Sequence, residues 1–178
     1  MSKIKGFTLI ELMVTVSIMI IVLSIAVPSF RDTILNNKVS GVRDTLARQL
    51  SSLRGDSINN KKNKVLCLLN NNKNNCANES ISNTGWLIFE DENNDGLLNN
   101  GEIREKIFDF TEENLKISIT NNKTKIRYNK MGIIDRSDGV NNFSIVICSN
   151  VNNTKKYALT VGATGSIQLE NGGVLSCD

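Results

Sequence analysis

The run from Phe7 to Val27, FTLIELMVTVSIMIIVLSIAV, holds 21 residues and one formal charge, the carboxylate of Glu11. A helix of that length spans a hydrocarbon core of about 30 Å, so the start of the chain is confined to one long apolar helix and any globular domain must be built from the residues beyond it. An ionised side chain near mid-bilayer costs about 2.5 to 3.5 kcal/mol, less toward the interface, and Glu11 therefore requires a partner that offsets this cost. Lys3 and Lys5 precede the run without a neighbouring acid. That bias predicts a cytoplasmic N-terminus and an exported domain.

A conventional secretory signal would place its cleavage site near Ser24-Ile25-Ala26. The run is long for such a signal, which has an apolar core of about 7 to 15 residues, and it contains Glu11. The residues after Ala26 also continue as an amphipathic helix. A plain single-span anchor satisfies the same length criterion. The 21 basic and 18 acidic residues leave a net charge of +3, too small to imply nucleic-acid attraction by itself. With no histidine in the chain, a His-dependent triad or metal centre cannot be built. Carboxylate neighbours such as Glu112 and Glu113 are adjacent in sequence, which does not place them across a substrate. The chain reads as structural rather than enzymatic.

Beyond Pro28, Phe30, Ile34, Val39, Val42, Leu46, Leu50 and Leu53 form a helical stripe expected to pack on a sheet, with Arg31, Asp32, Lys38, Arg43, Asp44 and Arg48 on the other side. Gly55, Asn59 and Asn60 mark its expected stop, and Pro28 an expected bend. The period then changes to that of strands. Runs at 64–69, 85–90, 103–110, 115–119, 124–128, 143–148, 156–161 and 166–169 are separated by Asn, Gly, Asp and Ser clusters, and predict an antiparallel sheet. Trp86 and Ile88 should share one strand face, Leu87 and Phe89 the other. Four cysteines in an exported domain favour disulfides. Of the three possible pairings, Cys67 with Cys76 and Cys148 with Cys177 is the simplest because each joins sequence-near segments.

The leader ending in Gly6-Phe7, with an acid five residues into the chain after Gly6, resembles the N-terminal signal of type IV pilins and type II secretion pseudopilins. Pro28 falls where many of them carry a proline. The order of helix, Cys67 strand, Cys76, Gly85-Trp86-Leu87-Ile88-Phe89-Glu90-Asp91, late Phe143-to-Cys148 strand and final strand after Gly165 is similar to the H-type minor pilins and pseudopilins (GspH/FimT-like). The resemblance implies an α+β pilin-like fold, with a leader over 1–6, a membrane half of the helix over 7–28, an amphipathic half over 29–57 and a periplasmic β-rich domain over 58–178. It also implies cleavage between Gly6 and Phe7 by prepilin peptidase, methylation of Phe7, and an ion pair between Glu11 and the terminal amine of Phe7 on a neighbouring subunit. Other major and minor pilins or pseudopilins and the inner membrane would be its partners; a pilus or its tip complex is the expected assembly, and the short piston of type II secretion the alternative.

One motif stands outside that picture. Asp91-Glu92-Asn93-Asn94-Asp95-Gly96-Leu97-Leu98-Asn99-Asn100-Gly101-Glu102 matches the calcium-loop pattern, with Asp91, Asn93 and Asp95 at positions 1, 3 and 5, Gly96 at 6, the carbonyl of Leu97 at 7 and Glu102 at 12. Its flanks read as strands rather than helices, and a polar hairpin tip explains the same residues without an ion. Calcium is thus the one cofactor the sequence suggests. Some relatives bind DNA through arginines after the last glycine. Here Gly165 is followed by Ser166, Ile167 and Gln168, and the basic residues Lys123, Lys125, Arg127, Lys130, Lys155 and Lys156 lack an aromatic stacking platform.

Overall fold

The computed structural model describes residues 6–82, 84–110, 115–136, 142–149 and 156–171. One helix, α1 (Leu9–Asn60), extends for 52 residues and about 78 Å at 1.5 Å per residue. Pro28 lies inside it, where its missing N–H removes one helical bond. Gly55 does not stop the helix: Ser57, buried and donating from Oγ to the carbonyl of Arg54, carries the chain one further turn. The end comes at Lys61, whose φ of 55° is left-handed and whose N–H caps the carbonyl of Ser57.

Nine strands succeed it among the described residues: β1 (Lys64–Leu68), β2 (Ile81–Ser82), β3 (Gly85–Glu90), β4 (Arg104–Asp109), β5 (Leu115–Ile119), β6 (Lys125–Tyr128), β7 (Phe143–Ser149), β8 (Tyr157–Val161) and β9 (Ile167–Asn171). They form two antiparallel sheets rather than one, ordered β4-β3-β1-β6 and β2-β5-β7-β8-β9. Both pack on α1. Val39, Leu46, Leu50 and Leu53 enter a core with Leu66, Trp86, Ile88 and Ile126 from the first sheet and Ile117, Ile145 and Leu159 from the second. Complete burial of one such aliphatic side chain contributes about 1.5 to 3 kcal/mol, so this stripe is what holds the helix to the sheets.

The stripe is shorter than its spacing suggests. Phe30 and Ile34 are 68% and 52% exposed, because full burial of the helix begins only at Val39. Trp86 and Ile88 face α1, whereas Leu87 and Phe89 join Val65, Cys67 and Leu69 in a second cluster on the far face of the first sheet. That cluster contains one of the expected bridges: Cys67 and Cys76 are disulfide-bonded, with Cα atoms 5.5 Å apart. Cys148 is also disulfide-bonded; Cys177 lies outside the described residues. Replacing Cys67 and Cys76 by serine should cost about 2 to 3 kcal/mol through the freed unfolded chain, read as a lower urea midpoint. An unchanged midpoint would show that the link does not restrict the unfolded chain to this extent.

Candidate functional site

At the start of α1 the sequence Thr8-Leu9-Ile10-Glu11 forms a reciprocal cap. Thr8 Oγ1 accepts from the N–H of Glu11 at 3.3 Å, and the Glu11 carboxylate accepts from the N–H and hydroxyl of Thr8 at 3.4 Å each. The acid therefore sits in the first helical turn, where the helix dipole favours a negative charge. Around it, Phe7, Leu9, Ile10, Leu12 and Met13 are 59 to 83% exposed, and the apolar half of the helix makes no contact with the β domain that would bury it. Gly6 and Phe7 precede the helix, outside any regular element, and both are exposed. Thr8 was not singled out by the membrane argument, although a Thr followed three residues later by Glu is itself a helix-start signature.

The second candidate, residues 91–102, joins β3 to β4. Its base is pinned by buried charge: Lys64 on β1, 1% exposed, pairs with Glu90 at 3.1 Å and with Glu105, and Lys62 also pairs with Glu90. Burial lowers the Lys64 pKa, but its bonds to Glu105 and Glu90 outweigh that and hold it above the ordinary lysine value. For Glu90, burial raises the pKa and the bonds from Lys62 and Lys64 prevail, holding it below the usual carboxylate value. Both groups thus remain charged around neutrality.

Within the loop, Gly96 donates its N–H to Asp91 Oδ2 at 2.9 Å, Asp95 donates to Asn93 Oδ1 at 3.1 Å, and Leu97 donates to Asp95 Oδ1 at 2.7 Å. The two oxygens of Glu102 accept from the amides of Glu92 and Asn99, at 3.1 and 2.8 Å. These bonds gather the residues of positions 1, 3, 5 and 12 about one turn. Gly96 has φ +70°, and a Cβ there would meet the Arg127 and Lys125 side chains at 2.9 to 3.1 Å. Lys125 Nζ donates to the Gly96 carbonyl at 2.6 Å, and Arg127 donates to the carbonyl and Oδ1 of Asn94 at 2.8 and 3.0 Å. These two members of the expected basic set are therefore committed to the loop, and Lys155 lies outside the described residues. The side chain of Asp91 is wholly buried, and desolvation raises its pKa against the N–H of Gly96 and the charge of Arg127, which lower it. Asp95, by contrast, is held low by its bonds from Leu97 and Asn99.

The helix thus exposes an apolar half with an acid in its first turn and carries the two sheets on its distal half. The family model described as type II transport protein GspH matches residues 43–165. The chain belongs to the GspH family. That match takes in the sheet-packed half of α1 and all strands through β8, while a second model, the prokaryotic N-terminal methylation motif, matches residues 1–27. The two matches leave residues 28–42 of the helix between them, and the motif with the exposed apolar segment fits a membrane-anchored pilin.

One solved protein, in two crystal forms, shares the fold of this GspH-family chain. The type IV minor pilin FimU of Pseudomonas aeruginosa PAO1 is 16% identical in two crystal forms, with TM-scores of 0.52 and 0.53; the matches cover 75% and 76% of this chain and 93% and 90% of FimU. The minor pseudopilin EpsH from the type 2 secretion system of Vibrio cholerae is 11% identical, covering 78% of this chain and 98% of its own, with a TM-score of 0.49. No curated protein matches the chain by sequence.

Proposed function

We propose that this GspH-family chain is a minor type IV pilin, cut after Gly6 by prepilin peptidase, methylated on Phe7, held in the inner membrane by residues 7–28 with its N-terminus cytoplasmic, and drawn from there into a pilus or its tip complex. The observation that carries this reading is the separation of roles along α1: one half exposes an apolar surface headed by the capped carboxylate of Glu11, and the other half is buried against the sheets. Neighbouring helices would cover the exposed half, and the terminal amine of Phe7 on one subunit would supply the counter-charge to Glu11 on the next. Its role is structural: binding and register, with no chemical step.

The test is the N-terminus of the mature protein. Cells with prepilin peptidase should yield a chain that begins at methylated Phe7, and cells lacking it a chain that retains residues 1–6. A mature chain beginning at Val27 in both would mark an ordinary secretory signal and sink the proposal. The family model's description as a type II transport protein favours a second reading, a minor pseudopilin in a short periplasmic piston, with the same processing and the same use of Glu11. Recovery with sheared surface fibres supports the pilin; loss of enzyme secretion on deletion, with fibres intact, supports the pseudopilin. DNA contact is a weaker reading, since Ser166 follows Gly165 and the loop engages Lys125 and Arg127.

A further inference from the structure

The 91–102 loop has a feature that a polar hairpin tip does not require. Asp91 is 1% exposed and its side chain not at all, yet only one of its carboxylate oxygens is used: Oδ2 accepts the N–H of Gly96, and Oδ1 has no hydrogen-bond partner. A buried carboxylate oxygen without a donor is unfavourable, and such atoms call for a bound ion or water as their explanation. The bond from Gly96 holds Oδ2 across the loop, and Oδ1 is the second oxygen of that same buried carboxylate. Two further oxygens accompany it. Asn93 Oδ1 and Asp95 Oδ1 each accept one main-chain N–H, which fixes their direction and leaves each with a second lone pair.

We propose that this loop is a calcium site, built on Asp91 Oδ1 with Asn93, Asp95, the Leu97 carbonyl and Glu102 completing the oxygen shell. Among the described residues, no three Asp, Glu, His or Cys side chains are grouped so as to hold a metal by themselves. Asp91, Asp95 and Glu102 would therefore have to draw closer around the ion, joined by the amide oxygen of Asn93 and the carbonyl of Leu97. That composition suits calcium, which accepts six to eight oxygens in flexible geometry, and not zinc, which takes nitrogen and sulfur ligands in a tetrahedron. Glu102 would have to exchange its bonds to the amides of Glu92 and Asn99 for the ion.

Arg127 stands 3.6 Å from Asp91 Oδ2, and Lys125 contacts the Gly96 carbonyl. Their charges oppose a divalent ion and place the affinity in the weak range of extracellular modules, about 10⁻⁴ to 10⁻³ M. Arg127 need not leave, because its closer bonds are to Asn94 and to Asp135 at 3.1 Å. An ion would then tie β3 and β4 to the cationic side chains of β6 through one loop.

The site is tested on the full-length chain in detergent micelles, stripped with a chelator and titrated with CaCl₂ while thermal unfolding is followed by Trp86 fluorescence. A saturable rise in Tm with a midpoint near millimolar calcium, not reproduced by equal MgCl₂, is the expected result. Asp91→Asn keeps the volume and the acceptor for Gly96, and Glu102→Gln removes charge at the exposed end of the loop. Both should fold, with unchanged far-ultraviolet dichroism, and bind at least tenfold more weakly. A wild-type Tm that is flat to 10 mM calcium overturns the proposal, as does a calcium response that survives both substitutions.

Discussion

Glu11→Ala should leave the chain in the membrane and remove it from the assembled fibre. Insertion is not at risk, because deleting a charge from an apolar run removes part of a penalty that reaches about 2.5 to 3.5 kcal/mol near mid-bilayer. On the proposed pairing, assembly would lose the counter-ion of the neighbouring Phe7 amine. Truncating one partner of a buried, hydrogen-bonded charge pair costs about 2 to 5 kcal/mol, or roughly thirtyfold and more in occupancy. Immunoblots of sheared fibres against the membrane fraction measure this ratio. Glu11→Gln separates charge from capping, since the amide oxygen can still accept from Thr8 but carries no charge. If Glu11→Gln is incorporated like the native chain, the cap is what matters and the ion-pair mechanism is wrong.

Trp86→Ala should be the most damaging single change in the β domain. Its ring stacks on Phe108 with centroids 4.2 Å apart and planes 9° from parallel, and meets Phe110 edge-on at 5.8 Å. Its indole N–H donates to Gln49 Oε1 at 2.6 Å, inside the core where α1 and the first sheet meet. Removal of a buried tryptophan costs about 3 to 5 kcal/mol, and the orphaned Gln49 adds about 1 to 3 kcal/mol more. Against a typical total of about 5 to 15 kcal/mol, much of the domain would unfold. The readout is the urea midpoint together with the cellular level of the chain. A loss below about 1 kcal/mol would mean that the core collapses into the vacated space far better than such sites do.

Gln49 also shows where sequence reading ends. The stripe of Val39, Leu46, Leu50 and Leu53 is legible because its period lies within one helix, but the partner of Gln49 is 37 positions away and nothing local announces a buried glutamine. Lys64 is similar: a lysine at the start of a strand reads as a solvent-facing charge until Glu90 and Glu105 enclose it. The β2 strand, two residues long, is too short to have a period, and Ser82 holds its place through a side-chain bond to the Leu69 carbonyl. The division into two sheets is also a matter of long-range pairing, which alternation within a strand cannot reveal. The exposure of Phe30 and Ile34 has another cause, since an apolar stripe looks the same whether its cover is a sheet of the same chain or another molecule.

The 91–102 loop divides in the same way. Its oxygen-bearing positions are visible as a motif, and the turn around Gly96 follows from them. The docking of Lys125 and Arg127, about thirty positions downstream, depends on β6 pairing with β1 and bringing both side chains to the loop. Nor does the motif show that Asp91 Oδ1 is buried without a donor.

The helix has a mechanical consequence as well. The four buried aliphatic side chains that join α1 to the sheets, Val39, Leu46, Leu50 and Leu53, are strung along its axis over 14 positions, or about 21 Å at the helical rise. A pull on the far end of the rod acts along that line, so these contacts are strained together in shear rather than peeled one after another. Detachment must break all of them at once, which makes the β domain hardest to strip by a force directed along the helix axis.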